Sequence, residues 1–149
     1  MNNSVNPLVE IKLIQTNEDA ILPTKAHEED NCWDIYSVEG KVIPAKGSAV
    51  VDVGVRVAYI TPGYGFVIRP RSGLGFKFGI QPHLGEFDQT YQGSANIKLY
   101  NFSDKDYSVT KGDRIAQFKI EKVWRSTVSW TDTIIESSRG QGGLGSSGK

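Results

Sequence analysis

Short runs of Val, Ile, Tyr and Phe recur along the chain between Gly, Pro, Asp and Asn. Many short strands separated by tight turns give that pattern. It predicts strands over residues 8–13, 33–37, 49–58, 65–69, 96–101 and 114–123. Within 52–57, DVGVRV, the valines share one face while Asp52 and Arg56 take the other, as a half-buried strand requires. The segment 114–119 is expected to set Ile115, Gln117 and Lys119 on one side and Arg114, Ala116 and Phe118 on the other. Helix is confined to 72–77 after Pro70, where glycines limit it to a turn or two. The sixteen glycines and six prolines supply the turns of an all-β sandwich or jelly-roll-like barrel.

From residue 136 the pattern stops. Ser137 to Lys149 holds five glycines and four serines in thirteen residues, with only Leu144 to bury. Such a stretch packs no core of its own, so the expected organisation is a β domain over 1–135 and a Gly/Ser-rich arm over 136–149. Glycines also let several N–H groups face one anion, with Arg139, Ser146, Ser147 and Lys149 adding donors and charge. A Walker A reading of this arm fails, because it lacks the preceding strand and the following Ser or Thr and helix.

The remaining composition narrows the class. With 17 basic and 17 acidic residues among 149, the net charge is zero, and the charges are interspersed. A general binder of nucleic acid or of a membrane surface is therefore not expected. No apolar run exceeds four residues (57–60), far below the roughly 20 that span a bilayer. The first residues show neither a basic leader nor a signal-peptide core. A single cysteine, Cys32, excludes an intrachain disulfide, and without a Cys/His cluster no structural zinc site is expected. A reducing cytoplasm is the expected setting.

Four segments could carry chemistry besides the arm. Pro70-Arg71-Ser72-Gly73-Leu74-Gly75 puts a guanidinium fork and a hydroxyl at the end of a predicted strand, suited to phosphate oxygens. The stretch from Gly85 to Gly93 reads as a hairpin with Phe87 and Tyr91 among acids, and Asp88 is a candidate base for activating water. Asp34 stands in a predicted strand after Trp33, where one carboxylate suffices to assist Mg²⁺. Gln117, in GDRIAQF, could line the same site. His27 and His83 have no partner acids at triad or metal spacing and are expected as surface or turn residues, and the three tryptophans as core or interface.

Taken in order, Asp34 in its strand, PRSGLG, GEFDQTYQG, GDRIAQF and RGQGGLGSSGK closely resemble the five motifs of the homotrimeric dUTPases, over nearly the whole chain. The resemblance implies a threefold trimer that hydrolyses dUTP to dUMP and pyrophosphate with Mg²⁺. It keeps uracil out of DNA and supplies dUMP for dTTP synthesis. Each active site is shared between subunits and closed by one chain's arm. By motif, Asp88 takes the place of the water-activating base and Ser72 of the group that polarises the leaving oxygen. Arg71, Gly73, Gln117, Arg139, Gly143, Gly145, Ser146 and Ser147 fall among the substrate-binding positions, and Asp34 reaches the metal through water. Gly85, Tyr91 and Asn96 fall to the uracil and deoxyribose, with Leu144 covering the base.

The chain departs from the family at three places. Thr90 replaces an aspartate, Leu144 replaces the phenylalanine that stacks on uracil, and Cys32 replaces a glycine. Two further readings share the fold. One is a dCTP deaminase, for which Glu86 is the only acid in a comparable place. The other is a regulatory module that binds a protein partner, in host cytoplasm if the chain is viral.

Overall fold

A computed structural model describes residues 6–145 and 148. Eleven strands and one helix follow in the order β1 (Ile11–Gln15), β2 (Cys32–Tyr36), β3 (Lys41–Ile43), β4 (Ser48–Val51), β5 (Val55–Ile60), β6 (Tyr64–Arg69), α1 (Ser72–Phe78), β7 (Ile80–Pro82), β8 (Glu86–Phe87), β9 (Ile97–Asn101), β10 (Tyr107–Val109) and β11 (Arg114–Lys122). They pair antiparallel as β2-β11-β6-β8, β4-β9-β7, β1-β5 and β10-β3. The expected jelly-roll-like sandwich is the architecture found. Ile43, Val51, Val57, Ile80, Ile97, Leu99, Ile115 and Ala116 form the centre of one continuous core.

Differences from the expected elements have local causes. The strand expected over 49–58 is two strands, because the chain changes sheet at Asp52–Gly54: β4 pairs with β9 and β5 with β1. Asp52 Oδ1 accepts the Gly54 N–H at 2.8 Å, an Asx turn. Gly54 has φ +67°, and a Cβ there would stand 2.8 Å from Ala20 Cβ and from Val38 Cγ1. The valines still share the inner face, with Val53, Val55 and Val57 all buried. The first strand runs 11–15 rather than 8–13, since β5 ends at Ile60, opposite Ile11, and Leu8 is exposed. β3, β7 and β10 were not expected; three residues each are too few to show a period. In β11 a register shift between Arg114 and Ala116 breaks the alternation, so Ile115 and Ala116 are both buried.

The stretch 85–93 is not a hairpin closed on itself. Its first limb, β8, pairs with β6, and its return limb meets β5 through an Arg56–Ser94 bridge and the Val57 N–H to Gly93 carbonyl bond of 3.0 Å. The helix begins at Ser72 as expected and ends on Gly79, whose φ of +67° supplies a left-handed C-cap. The packed body ends where the Val123 N–H meets the Gly63 carbonyl at 2.8 Å. Beyond it Val128, Trp130, Ile134 and Ile135 are almost fully exposed. No helix among the described residues is long and apolar enough to cross a membrane.

Asn101 is the polar staple of the core's edge. Only 2% exposed, it donates from Nδ2 to the Ile43 and Lys105 carbonyls at 2.9 and 2.8 Å. Its Oδ1 accepts from the Ser103 N–H and Oγ–H at 3.0 and 2.7 Å. Every donor and acceptor of the amide is used, so Asn101→Asp, which strands two carbonyls against a carboxylate, is expected to cost about 2–4 kcal/mol in urea unfolding.

Candidate active site

β11 is hydrogen-bonded along both edges, and this places Gln117 opposite Asp34 of β2 on one side and Arg69 of β6 on the other. Asp34 is held further by a backbone bridge to Thr24. Its side chain is 15% exposed and faces two guanidinium groups: Arg71 Nε lies 3.3 Å from Oδ1, and Arg114 Nη1 lies 3.5 Å from Oδ2. Arg71 Nη1 also donates to the Arg114 carbonyl at 3.3 Å. Gln117 Nε2 donates to the Pro70 carbonyl at 2.9 Å, which fixes the turn into α1. Ser72 opens that helix, and with Arg71, Gly75 and Gln81 it lines a cavity of about 390 Å³. Two cations around one anion leave an excess positive charge, and guanidinium forks match phosphate oxygens. Arg114 is a member of this cluster that the motif reading left out, although it stands within GDRIAQF.

A second cavity, of about 310 Å³, is lined by His83, Gly85, Phe87, Tyr91, Asn96 and Lys98 among others. The Gly85 carbonyl accepts the Ile68 N–H at 2.9 Å. Tyr91 Oη donates to the Ser94 carbonyl at 2.8 Å, and its ring meets Phe87 edge-on at 5.3 Å, which in turn stacks on Phe66 at 4.4 Å. The tyrosine is thus fixed at both ends, and a Cβ on Gly93 would push against its ring. Asp88 is exposed and borders a third cavity, of about 480 Å³, with Arg69, Glu86, Glu121 and Lys122. Its backbone carbonyl caps the turn by accepting the Tyr91 N–H at 2.9 Å.

The structure therefore joins Asp34, Arg71, Ser72 and Gln117 in one place and Gly85, Tyr91, Asn96 and, next to them, Asp88 in another. The cavity at Arg71 and Ser72 contains neither Asp88 nor Tyr91, and neither cavity beside the 85–93 loop contains Arg71 or Ser72. Gly73 lies exposed on α1. Arg139, Gly143, Leu144 and Gly145 are not brought to either cavity, and Ser146 and Ser147 lie outside the described residues. His27 sits in a surface turn, its N–H bonded to Asp30 Oδ2 at 2.9 Å, as expected. His83 is exposed, as expected, and borders the second cavity.

The dUTPase family pattern matches residues 18–148. The chain belongs to the dUTPase family. The deoxyuridine 5'-triphosphate nucleotidohydrolase of Eremothecium gossypii is 41% identical over 93% of this chain and 90% of its own length. That of Kluyveromyces lactis is 37% identical over 100% and 99%. Among solved structures, the Staphylococcus bacteriophage 80alpha dUTPase with dUPNHPP superposes with a TM-score of 0.85 at 26% identity, covering 94% of this chain and 99% of that one.

Cys32 lies on β2 near Asp34. Burial pushes its thiol up, and the lowering effect of Lys119, Arg69 and Lys25 is smaller. A raised pKa means less thiolate at a given pH, so alkylation by iodoacetamide at pH 8 is expected to run slower in the folded protein than after unfolding in urea. Gly93→Ala should be overpacked against Tyr91 and cost about 1–3 kcal/mol. A Gly93→Ala, Tyr91→Ala double variant should lose less than the two single losses added together, read in the same unfolding assay.

Proposed function

We propose that the chain hydrolyses dUTP to dUMP and pyrophosphate, at sites completed between subunits of a homotrimer. The observation that carries this reading is the Asp34–Arg71–Arg114–Gln117 cluster beside Ser72, a preformed cationic seat, together with the separate cavity walled by Phe87 and Tyr91, next to which Asp88 stands. A triphosphate fits the first and a nucleoside the second. Because the two lie in different cavities of one chain, a substrate spanning both chemistries calls for the seat of one subunit to face the 85–93 loop of another. The bare side chains of Val128, Trp130, Ile134 and Ile135 support association as well, since so much apolar surface is rarely left to water. In this reading 1–135 is the β domain and 136–149 the arm, which brings Arg139, Gly143, Leu144, Gly145, Ser146 and Ser147 over the bound nucleotide.

In the reaction Asp88 orients a water and takes its proton as the water oxygen bonds to the α-phosphorus in line. The bond from that phosphorus to the α,β-bridging oxygen breaks, and its electron pair leaves with pyrophosphate. Ser72 donates to the bridging oxygen as charge builds there, while Arg71, Arg114 and Gln117 hold the triphosphate. Asp34 suits Mg²⁺ only through water. Each carboxylate oxygen already faces one guanidinium, and among the described residues no three His, Cys, Asp or Glu side chains gather as a metal cage. When bound, the ion neutralises charge on the substrate's own phosphates. Uracil is read by hydrogen-bonding groups of the 85–93 loop, and Tyr91 packs where a ribose 2′-OH would collide. A chain with one thiol suits a reducing cytoplasm.

Pyrophosphate release from dUTP, dCTP, dTTP and UTP with Mg²⁺ tests the reaction. Turnover is expected with dUTP alone, reduced about 10²–10⁴-fold in Asp88→Asn with dUTP binding retained. A chain truncated before Arg139 should bind dUTP but turn it over poorly. Ammonia release from dCTP would mark a deaminase instead. Light scattering should give about three times 16.4 kDa, and a monomer that turns over dUTP would sink the shared site.

A further inference from the structure

Resting on the dUTP reading, we infer that Gln89 is a positioning residue, whose side-chain amide pins the tip of the 85–93 loop to the turn at 61–64 and so holds Asp88 in place for the attacking water. The ladder between β6 and β8 ends at the Phe66–Phe87 pair. Asp88 follows as the first residue of a turn, closed where its carbonyl accepts the Tyr91 N–H at 2.9 Å. One side of that turn rests on β6: a Cβ on the buried Gly65 would stand 2.6 Å from the Phe87 carbonyl oxygen and 3.9 Å from Asp88 Cα. Asp88, Gln89 and Thr90 themselves are exposed. Among the described residues, a single hydrogen bond ties 88–90 to a distant part of the chain, from the Gly63 N–H to Gln89 Oε1 at 2.5 Å.

The far end of that bond is well anchored. Thr61 to Tyr64 form a turn closed by the Tyr64 N–H to Thr61 carbonyl bond of 3.2 Å, with Pro62 in its second position and Gly63, at φ +88°, in its third. A proline followed by a positive φ makes this a type II turn. Its Gly63 N–H points away from the closing bond and takes its acceptor from outside. An amide nitrogen cannot accept, so the side-chain oxygen of Gln89 has to face the turn. Three further bonds fix the turn itself. The Thr61 N–H donates to the Glu10 carbonyl at 3.0 Å, the Glu10 N–H to Thr61 Oγ1 at 2.8 Å, and the Val123 N–H to the Gly63 carbonyl at 2.8 Å. Cutting the Gln89 bond frees only the tip, because pairing with β6 holds the first limb and the Val57 bond to Gly93 holds the second. Gln89 lines neither the cavity at Arg71 nor the one at Tyr91, so substrate binding is spared. One neutral hydrogen bond shifts a population by roughly two- to tenfold. That is too little to unfold the protein, but it misplaces a base whose geometry sets the rate.

The test measures kcat and KM for dUTP with Mg²⁺, and hydrogen exchange of the Gly63 amide by NMR, in the full chain, in Gln89→Ala and in Gln89→Glu. In Gln89→Ala, kcat is expected to fall about three- to tenfold while KM stays within about twofold and unfolding in urea remains cooperative. The Gly63 amide should exchange faster by about the same factor as kcat falls. Gln89→Glu, whose carboxylate accepts the same N–H, should restore the protection and bring kcat back to within about twofold. A raised KM at constant kcat would make Gln89 a substrate contact and overturn the inference. So would an unchanged kcat in Gln89→Ala with the Gly63 amide unprotected, or an equal loss of kcat in both variants, since one of them keeps the acceptor. Each of these leaves the dUTP reading standing. Absence of dUTP turnover in the unaltered protein would remove the reading itself, whatever the Gly63 amide shows.

Discussion

β11 is the strand on which the rest of this molecule hangs. It is nine residues long and paired on both edges, so its register with β2 and β6 cannot slip without moving a buried face to solvent. Ile115, Ala116 and Phe118 lock that register from the core side. On the other side the same register brings Gln117 level with Asp34 and leaves Arg114 within reach of the same carboxylate. The polar cluster is thus a consequence of apolar packing. No residue in it needs to find its partner from a mobile loop.

That arrangement preorganises a charge the protein alone does not satisfy. Asp34 balances one of the two guanidinium groups beside it and leaves one positive charge in excess, which the proposed reading assigns to the triphosphate. A site built this way spends little on ordering its side chains when a triphosphate arrives. The turn after β6 is fixed by the same strand through the Gln117 bond to the Pro70 carbonyl, which places Ser72 at the rim of the seat.

The nucleoside side is organised by different means. Aromatic contacts from Phe66 through Phe87 to Tyr91 tie the 85–93 loop to the core, and the two limbs of the loop pair with different strands, β6 and β5. The loop is therefore stiff where a base has to be read by shape and hydrogen bonds. In the proposed reading, a phosphate seat and a base cavity on separate parts of one chain make subunit association the step that assembles the chemistry, with the bare apolar residues of 124–135 as candidate contacts.

The sequence by itself determined the all-β class, the helix opening at Ser72, and the residue types of each motif, because period-two hydrophobicity, turn glycines and short motifs are local properties. Three-residue strands escaped it for the same reason: a period cannot show in so few positions. The split at Asp52–Gly54, the bulge that buries both Ile115 and Ala116, and the loop limbs at 85–93 were decided by which strand lay alongside, and pairing partners are far apart in the chain. The site divides likewise. Asp34, Arg71, Ser72 and Gln117 were legible as candidates, but Arg114 as the second cation on Asp34 and Gln89 as the tie from the 85–93 loop to the turn at 61–64 emerged only when separate strands were set side by side. Strand pairing creates those contacts, and no local pattern records it.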